Sequence, residues 1–461
     1  MSDNVAKRSK AVAVMVQAGA KGRALMGGTT AMREAGEAYL PRFKSEDRQD
    51  YDARLNSSWL FNGFKKACKD MVGRAFEKPV EIQVGPNALI DWSENIDMQG
   101  RDLSVFASEV FKDGFATGVS FIMVDAPRRD GETTRQMAEA NGLRPYLVHL
   151  KAEEVLGWKT ATYGNALGLS QFRIMEEIEE PDDKDEFATK VVKQVRVLDR
   201  MEGGVSVRLF RQGSDKKWAL HDEYRTDAPE ITVAPYYAQR TGFFTGEPPL
   251  EDLADVNIAH WQSQSDQRNI LHFARVPILH VSGRDNDEPL KISAGTAVAS
   301  RDVQAKLEWV EHKGEAIDAG RQDLKDLEFQ MEILGLQLLV ERASTATGAA
   351  LDAAKETSGL AMMADNLKDA LEQALSWMCE YGGLGEQSIT LAVNKDYGVS
   401  VMTAQEVTAM LSMVNTGQLS RQTFLEELKR RGVVRADLDT QEELDRIETE
   451  GPDLGGNDVS E

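Results

Sequence analysis

The chain has 461 residues, 41% hydrophobic and 28% charged, and its 54 Lys and Arg against 76 Asp and Glu leave a net charge of −22. That length exceeds one ordinary core and points to roughly two to four domains or subdomains, while the composition excludes a disordered or fibrous chain. So acidic a protein does not grip nucleic acid by neutralising phosphates, and no apolar run approaches the ~20 residues that cross a bilayer.

Cys68 and Cys379 are far apart and unpatterned. They give no disulfide framework and no CxxC motif, so a reduced, cytosolic setting is expected. At the start, Lys7, Arg8 and Lys10 precede AVAVMV, and AGA follows at Ala18. This mimics a signal peptide, but the apolar run is shorter than the usual ~7–15 residues, and a short amphipathic helix is expected instead.

Residues 1–79 read mostly as helix. In SSWLFNGFKKACKDMVGRAFEKP, Leu60, Phe61, Phe64, Cys68, Met71, Val72 and Phe76 follow a three-four spacing that Pro79 ends. VEIQV alternates as a strand from Val80. An amphipathic helix over 101–118 carries Leu103, Phe106, Val110 and Phe115, and SFIMVDAP from Ser120 reads as a buried strand. Together these predict a strand–helix–strand unit in a mixed α/β domain.

From Arg144 to about Arg240 the pattern turns to short strands: RPYLVHL, GLSQFRIMEEI, KQVRVLDR, VSVRLFRQ and KWALHDEYR. Gly203-Gly204 and RQGSDKK are turn signals between them. The acidic EEPDDKDE, Glu179 to Glu186, reads as a solvated loop that lacks the glycine and spacing of a calcium loop.

A long helix is predicted from about Pro249 to Arg275, roughly 40 Å at ~1.5 Å per residue. From Gln262 to Asn269 it is polar without interruption. Such a middle is read as no part of a core. PILHVSG follows as a strand, then an irregular module over 281–315 with a strand KLEWVEH at Lys306. A second long helix runs from about Glu315 to Arg342. Leu324, Leu327, Met331, Leu334 and Leu338 form one seam, and Phe329, Ile333, Leu336 and Val340 a second about 100° away. That pattern fits a core helix of a large α/β protein or, as the sharper reading, a helix packed inside its own chain and also against a neighbour. ASTATGAA follows at Ala343, then a third helix over about Leu351 to Tyr381, a strand SITLAV, helices from Thr403 to about Glu450, and a Gly-rich acidic tail.

Catalytic signatures are absent. GGTTAMRE at Gly27 and GFATGVS at Gly114 lack the lysine of a phosphate loop, and GxSxG, GxGxxG after a strand and HExxH do not occur. His149, His221, His260, His272, His280 and His312 are scattered. Asp285, Asn286, Asp287 and Glu288 are followed by Pro289 and read as an exposed loop rather than a metal site. No enzyme, cofactor or metal is expected.

The order and spacing of several segments resemble the tailed-bacteriophage portal proteins, and more narrowly a portal-like family first catalogued as a domain of unknown function. The segments are NSSWLFNGFKKACKDMVGRAFEKP with NIDMQGRDLSVFA, GVSFIMVDAP, RPYLVHLKAEEVLGWK, PPLEDLADVNIAHWQSQSDQRNILHFARVPIL, LEWVEHKGEAIDAGRQDLKDLEFQMEILGLQLL and VNKDYG, spread over roughly residues 50–400. None is a chemical signature alone.

The resemblance implies an α+β, multi-domain subunit with long stem helices, a mixed α/β wing, a small clip and a helical C-terminal crown. Its layout would be an N-terminal helical and wing region over 1–249, a first stem helix over 250–275, a clip over 276–315 and a second stem helix over 316–341. A tunnel loop over 342–350, a supporting helix and strand over 351–400, a crown over 401–450 and a disordered tail over 451–461 would follow. It implies a homo-oligomeric, dodecameric ring at the capsid vertex of a virion, assembled in the host cytoplasm. The ring would conduct double-stranded DNA without sequence specificity, dock the terminase large subunit, and meet head-tail adaptors, major capsid protein and scaffold, with no membrane. Arg342, Ser344, Thr345 and Thr347 are candidate tunnel-loop residues. Gln264, Asp266, Arg268, Asp318, Arg321 and Asp326 are candidate contacts between stem subunits. The rival expectations are another virion component, such as an adaptor or minor capsid protein, and a nucleic-acid-processing enzyme.

Overall fold

The computed structural model describes residues 4–127, 143–182, 185–213, 215–275, 278–282, 304, 306–310, 315–336, 359–394, 404–430, 433–435 and 438–450. Two compact units are present, Met1–Asn394 and Lys395–Glu461.

In the first unit, α1 (Lys10–Ala35) starts at Ser9, whose hydroxyl accepts the Val12 amide. Gly28, at φ 76°, breaks its helical geometry. A face of small residues carries the packing: a Cβ on Gly22 would meet the Ala116 carbonyl oxygen at 1.9 Å, and one on Gly19 would meet Thr117. Backbone therefore lies against backbone where α1 crosses the end of α5 (Leu103–Thr117). Next come α2 (Arg48–Ser57), α3 (Gly63–Ala75) and α4 (Asn87–Ser93). Asn62 caps α3 through the Lys65 amide, and Asp102 caps α5 through the Val105 amide.

Two sheets follow. The smaller orders β3 (Tyr146–Lys151), β2 (Val119–Asp125) and β9 (Val233–Tyr237), all antiparallel. β2 is central and buried on both faces, as its continuous apolar run requires. The larger is a consecutive antiparallel meander of β4 (Val155–Tyr163), β5 (Ala166–Asp182), β6 (Asp185–Met201), β7 (Gly204–Gln212) and β8 (Trp218–Thr226). Val12 and Met15 of α1, Phe121 of β2 and Phe172 of β5 share one core with Phe244. The Phe121 ring stacks on Phe244 at 5.5 Å between centroids and meets Phe172 edge-on at 6.3 Å. β10 (Gln239–Gly242) and β11 (Thr245–Glu247) form a small hairpin beside this core.

The long helices then follow: α6 (Glu251–Ala274), α7 (Glu315–Leu336) and α8 (Gly359–Tyr381). β12 (Ile278–Ser282) and β13 (Lys306–Val310) pair antiparallel between α6 and α7. α8 buries Leu360, Met363, Leu367, Leu371, Leu375 and Met378 and packs on β9 and β2. The second unit holds α9 (Ala404–Asn415), α10 (Arg421–Arg430) and α11 (Thr440–Glu450). Ser420 caps α10 through the Thr423 amide, and Asp439 caps α11.

Two expectations need correction. The strand from Val80, β1 (Glu81–Val84), does not join β2 across α5. It pairs antiparallel with β14 (Thr390–Ala392) from the SITLAV segment, while β2 belongs to another sheet. The acidic Glu179–Glu186 stretch is not a simple loop. Glu179, Glu180 and Pro181 are still laddered to Val191, Lys190 and Thr189, so β5 and β6 run on as a two-stranded arm. Most of 276–315, including Asp285 to Glu288, and the tail over 451–461 lie outside the described residues.

Candidate functional site

The polar middle of α6 is where sequence reasoning and structure part most clearly. Asn257, His260, Trp261, Gln264, Ser265 and Gln267 are all buried within this one chain. Of the eight residues Gln262–Asn269, Gln264, Ser265 and Gln267 are buried, Arg268 is exposed and the rest are half-buried. Most of their polar groups meet polar partners, while Gln264 Oε1, and His260 Nδ1 and Trp261 Nε1 just before them, have none among the described residues. Asn257 Nδ2 donates to the Phe61 carbonyl at 2.8 Å, and its Oδ1 accepts the Phe64 amide at 2.9 Å. Gln262 Nε2 donates to the Tyr39 carbonyl at 2.9 Å and Gln267 Nε2 to the Ile317 carbonyl at 2.8 Å. Ser263 bonds Asp323, and His260 Nε2 lies 3.4 Å from Glu328. Buried polar groups persist where such partners exist. Burial pushes the His260 imidazole below its ordinary value, against the opposing pull of Glu328.

The pairs 260 with 328, 263 with 323 and 267 with 317 run in opposite directions, so α6 and α7 are antiparallel. Gly320 permits the close approach: a Cβ there would sit 2.1 Å from Gln267 Oε1.

Arg54 of α2 is a second node. Its side chain is almost wholly buried. It grips both Glu46 oxygens at 2.7 and 2.8 Å, donates to the Pro41 carbonyl at 3.0 Å and to Ser265 Oγ at 3.4 Å, and stands 3.6 Å from Asp266. Phe43 and Tyr51 flank its guanidinium. The Arg54 hydrogen bonds hold the Glu46 carboxyl below the usual range despite burial. Burial raises Asp266, opposed by Arg54.

The two seams of α7 have different fates. Met331 is buried and Leu324, Leu327 and Leu334 are half-buried, all toward the chain's interior. Phe329 and Ile333 of the second seam are 63% and 47% exposed. A groove of about 610 Å³ lies between α3 and α7, with Phe61, Lys66, Arg74, Lys325, Phe329 and Glu332 along it. A second, of about 930 Å³, lies between α2 and the end of α6.

A buried cluster on α5 and the small sheet has the residue types of a hydrolytic triad but not its geometry. Ser120 Oγ lies 2.7 Å from His149 Nε2, and Asp113 lies 3.6 Å from that same nitrogen. A relay needs the acid on the other ring nitrogen, and Ser120 is fully buried. Arg23 of α1 reaches Asp113 at 2.6 Å and Glu153 at 2.8 Å. Burial alone would raise Asp113, but His149 and Arg23 hold it low. The cluster ties α1, α5 and β3 together. Burial pushes the Cys68 thiol up to about 12 and Cys379 up to about 11, which keeps both protonated. Among the described residues no group of three or more His, Cys, Asp or Glu could hold a metal, and no helix is long and apolar enough to cross a membrane.

Of the residues singled out as contacts between copies, Gln264 is buried in its own chain and Asp266 faces Arg54. Arg268 is exposed beside the larger groove. Asp318 and Arg321 are exposed and pair with each other at 3.2 Å, and exposed Asp326 accepts from Gln322 at 2.8 Å. Arg342, Ser344, Thr345 and Thr347 lie outside the described residues. Sequence reading missed the Arg54 node. Its only linear signal was an arginine flanked by Phe43 and Tyr51 in a polar helix.

Residues 249–382, the span from α6 to α8, match a family described as a domain of unknown function, DUF4055. A comparison with curated proteins returns no match. Among solved structures, a chain in the neck of an empty GTA particle, of C6 symmetry, is similar at 12% identity and a TM-score of 0.40, over 88% of this chain and 98% of that one. A chain in the neck of a native GTA particle, of C12 symmetry, gives 12% and 0.40 over 87% and 98%. A chain in the virion of a native gene transfer agent particle gives 11% and 0.38 over 86% and 97%.

Proposed function

We propose that the chain is a ring-forming structural subunit of a phage-type virion, the portal at a capsid vertex. The observation that carries the reading is the unit made by α6, the β12–β13 ribbon and α7. Its two long antiparallel helices are bound to each other by polar contacts made within the chain. Yet α7 leaves Phe329 and Ile333 on an outer face. A large apolar pair held open to water on a rigid helix marks a surface awaiting a partner. The family match covers this same unit, and the resemblance noted from the sequence assigns it to stem and clip.

In this reading α6 and α7 are the stem helices, the ribbon belongs to the clip that meets the terminase motor, and α9 to α11 form the crown. The resemblance makes Arg342, Ser344, Thr345 and Thr347 the candidate tunnel-loop residues. Charge suits a conduit. With −22 per chain repeated around a ring, the wall repels phosphate over about 8–10 Å at cellular salt, so DNA slides rather than sticks. Phe329, Ile333, Asp318, Arg321 and Asp326 then contribute to the contact between neighbouring copies, which in a closed ring joins different faces of each subunit. The subunit hydrolyses nothing itself; the motor supplies the work.

Negative-stain electron microscopy with native mass spectrometry tests this directly. Rings of about a dozen copies around an axial channel are expected. A monomer or dimer at high concentration overturns the reading, and solid rings or plugs without a channel favour an adaptor or minor capsid component.

A further inference from the structure

Among the described residues no third strand pairs with the distal part of β5 and β6. β4 parts from β5 at the pair Val155–Ile174, and β7 parts from β6 at Gln194–Arg211. Beyond that level the backbones of Glu177–Asp182 and Asp185–Lys193 ladder only with each other among the described residues, and Glu180 pairs with Arg211. At ~3.4 Å per residue the six residues Glu177–Asp182 carry the arm about 20 Å past the sheet. A two-stranded ribbon of this kind is marginal in water unless something packs on it. Its distal end is acidic, with Glu179, Asp182, Asp185 and Glu186, and one face carries Phe187 at 90% exposure and Val191 at 58%.

The groove between α2 and the end of α6 has the opposite character. Phe43, Ala53 and Leu271 give it an apolar floor. Arg268, His272 and Arg275, spaced four and three residues apart, share one face of α6 along its edge. Arg268 and Arg275 are exposed and enter no ion pair among the described residues. Glu46, bound by Arg54, and exposed Asp50 line the α2 side, so the cationic strip is confined to the α6 edge. The groove between α3 and α7 carries Lys66, Arg74 and Lys325 against Asp70, Glu328 and Glu332 and offers no such complement.

We infer that the β5–β6 arm of one copy docks in the α2–α6 groove of the next, with Phe187 on the apolar floor and the arm's carboxylates against Arg268 and Arg275. In a ring each copy gives its arm to one neighbour and its groove to the other, a head-to-tail contact, whereas a two-fold pair would exchange arms reciprocally and stop at a dimer. The inference rests on the ring reading above and names one contact that closes it.

The test uses the full-length protein, whose own cysteines are buried. Ala53 and Phe187 are both exposed, so Ala53→Cys and Phe187→Cys are expected to fold. Under mild oxidation the double variant should give a disulfide ladder up to the full assembly, and neither single variant more than a dimer. Phe187→Asp should raise the concentration needed for half-assembly about ten- to a hundred-fold, the value of burying one such side chain. Rings that form without the ladder, and that Phe187→Asp leaves untouched, overturn the arm contact while the ring reading stands. If Arg268→Glu with Arg275→Glu leaves assembly intact and abolishes retention of duplex DNA, the groove is a phosphate contact and the inference is wrong. A parent protein that stays monomeric overturns both.

Discussion

Asn257→Leu is the sharpest test of how the polar middle of α6 is held. Asn257 is fully buried and bridges α6 to α3 through both ends of its amide. The Phe64 amide lies in the first turn of α3, where no preceding carbonyl of the helix can accept it. Leucine keeps the volume and removes both bonds. The Phe64 amide then stays buried and unpaired, at about 1–3 kcal/mol. The Phe61 carbonyl is only partly buried, so losing that bond costs about 0.5–1.5 kcal/mol. The sum is about 1.5–4.5 kcal/mol of destabilisation. Urea unfolding followed by circular dichroism measures it, and amide exchange at Phe64 localises it. A change under about 0.5 kcal/mol with unaltered Phe64 protection would refute the idea that this amide pins α6 to α3.

Three further outcomes are expected. Gly22→Ala puts a Cβ against the Ala116 carbonyl. It should cost about 1–3 kcal/mol, outweighing the ~1 kcal/mol that alanine gains in a helix, and a melting temperature equal to or above the parent's contradicts that. Glu46 has a carboxyl held below its ordinary 4.5 by Arg54; the folded form binds fewer protons than the unfolded chain, so the stabilisation is full above 4.5 and fades as pH falls through the lower folded value. Glu46→Gln should therefore flatten the acid limb of stability below pH 4.5, and an unchanged acid limb in unfolding titrations counts against the Arg54 node. Phe329→Asp, and charge reversal at Asp318, Arg321 or Asp326, should leave the melting temperature within about 1–2 °C, since exposed sites contribute little, while lowering the yield of rings in size-exclusion chromatography; normal rings would remove these residues from the interface.

Much of the architecture was legible in the chain's local pattern. The spacing of Leu60 to Phe76 placed α3, and the continuous apolar run from Ser120 placed the central strand β2. The polar signals at Gly203-Gly204 and Arg211 separated β6, β7 and β8. Periodicity and turn chemistry are properties of neighbours in sequence, and they survive folding unchanged. The two seams of α7 were legible too, but not which seam would be buried: Met331 faces inward and Phe329 outward because α3 and α6 occupy only one side.

Tertiary structure decided the rest. β1 pairs with β14 from a segment some three hundred residues away, and nothing local announces such a partner. The polar run from Gln262 to Asn269 looked unfit for a core, because a sequence shows what a side chain offers and not what meets it. Ser58, Arg54, the Tyr39 and Ile317 carbonyls and Asp323 arrive from three other segments to meet most of its polar groups. Burial of a polar group is set by whether partners converge on it in three dimensions, and convergence is the one property that a linear pattern does not carry.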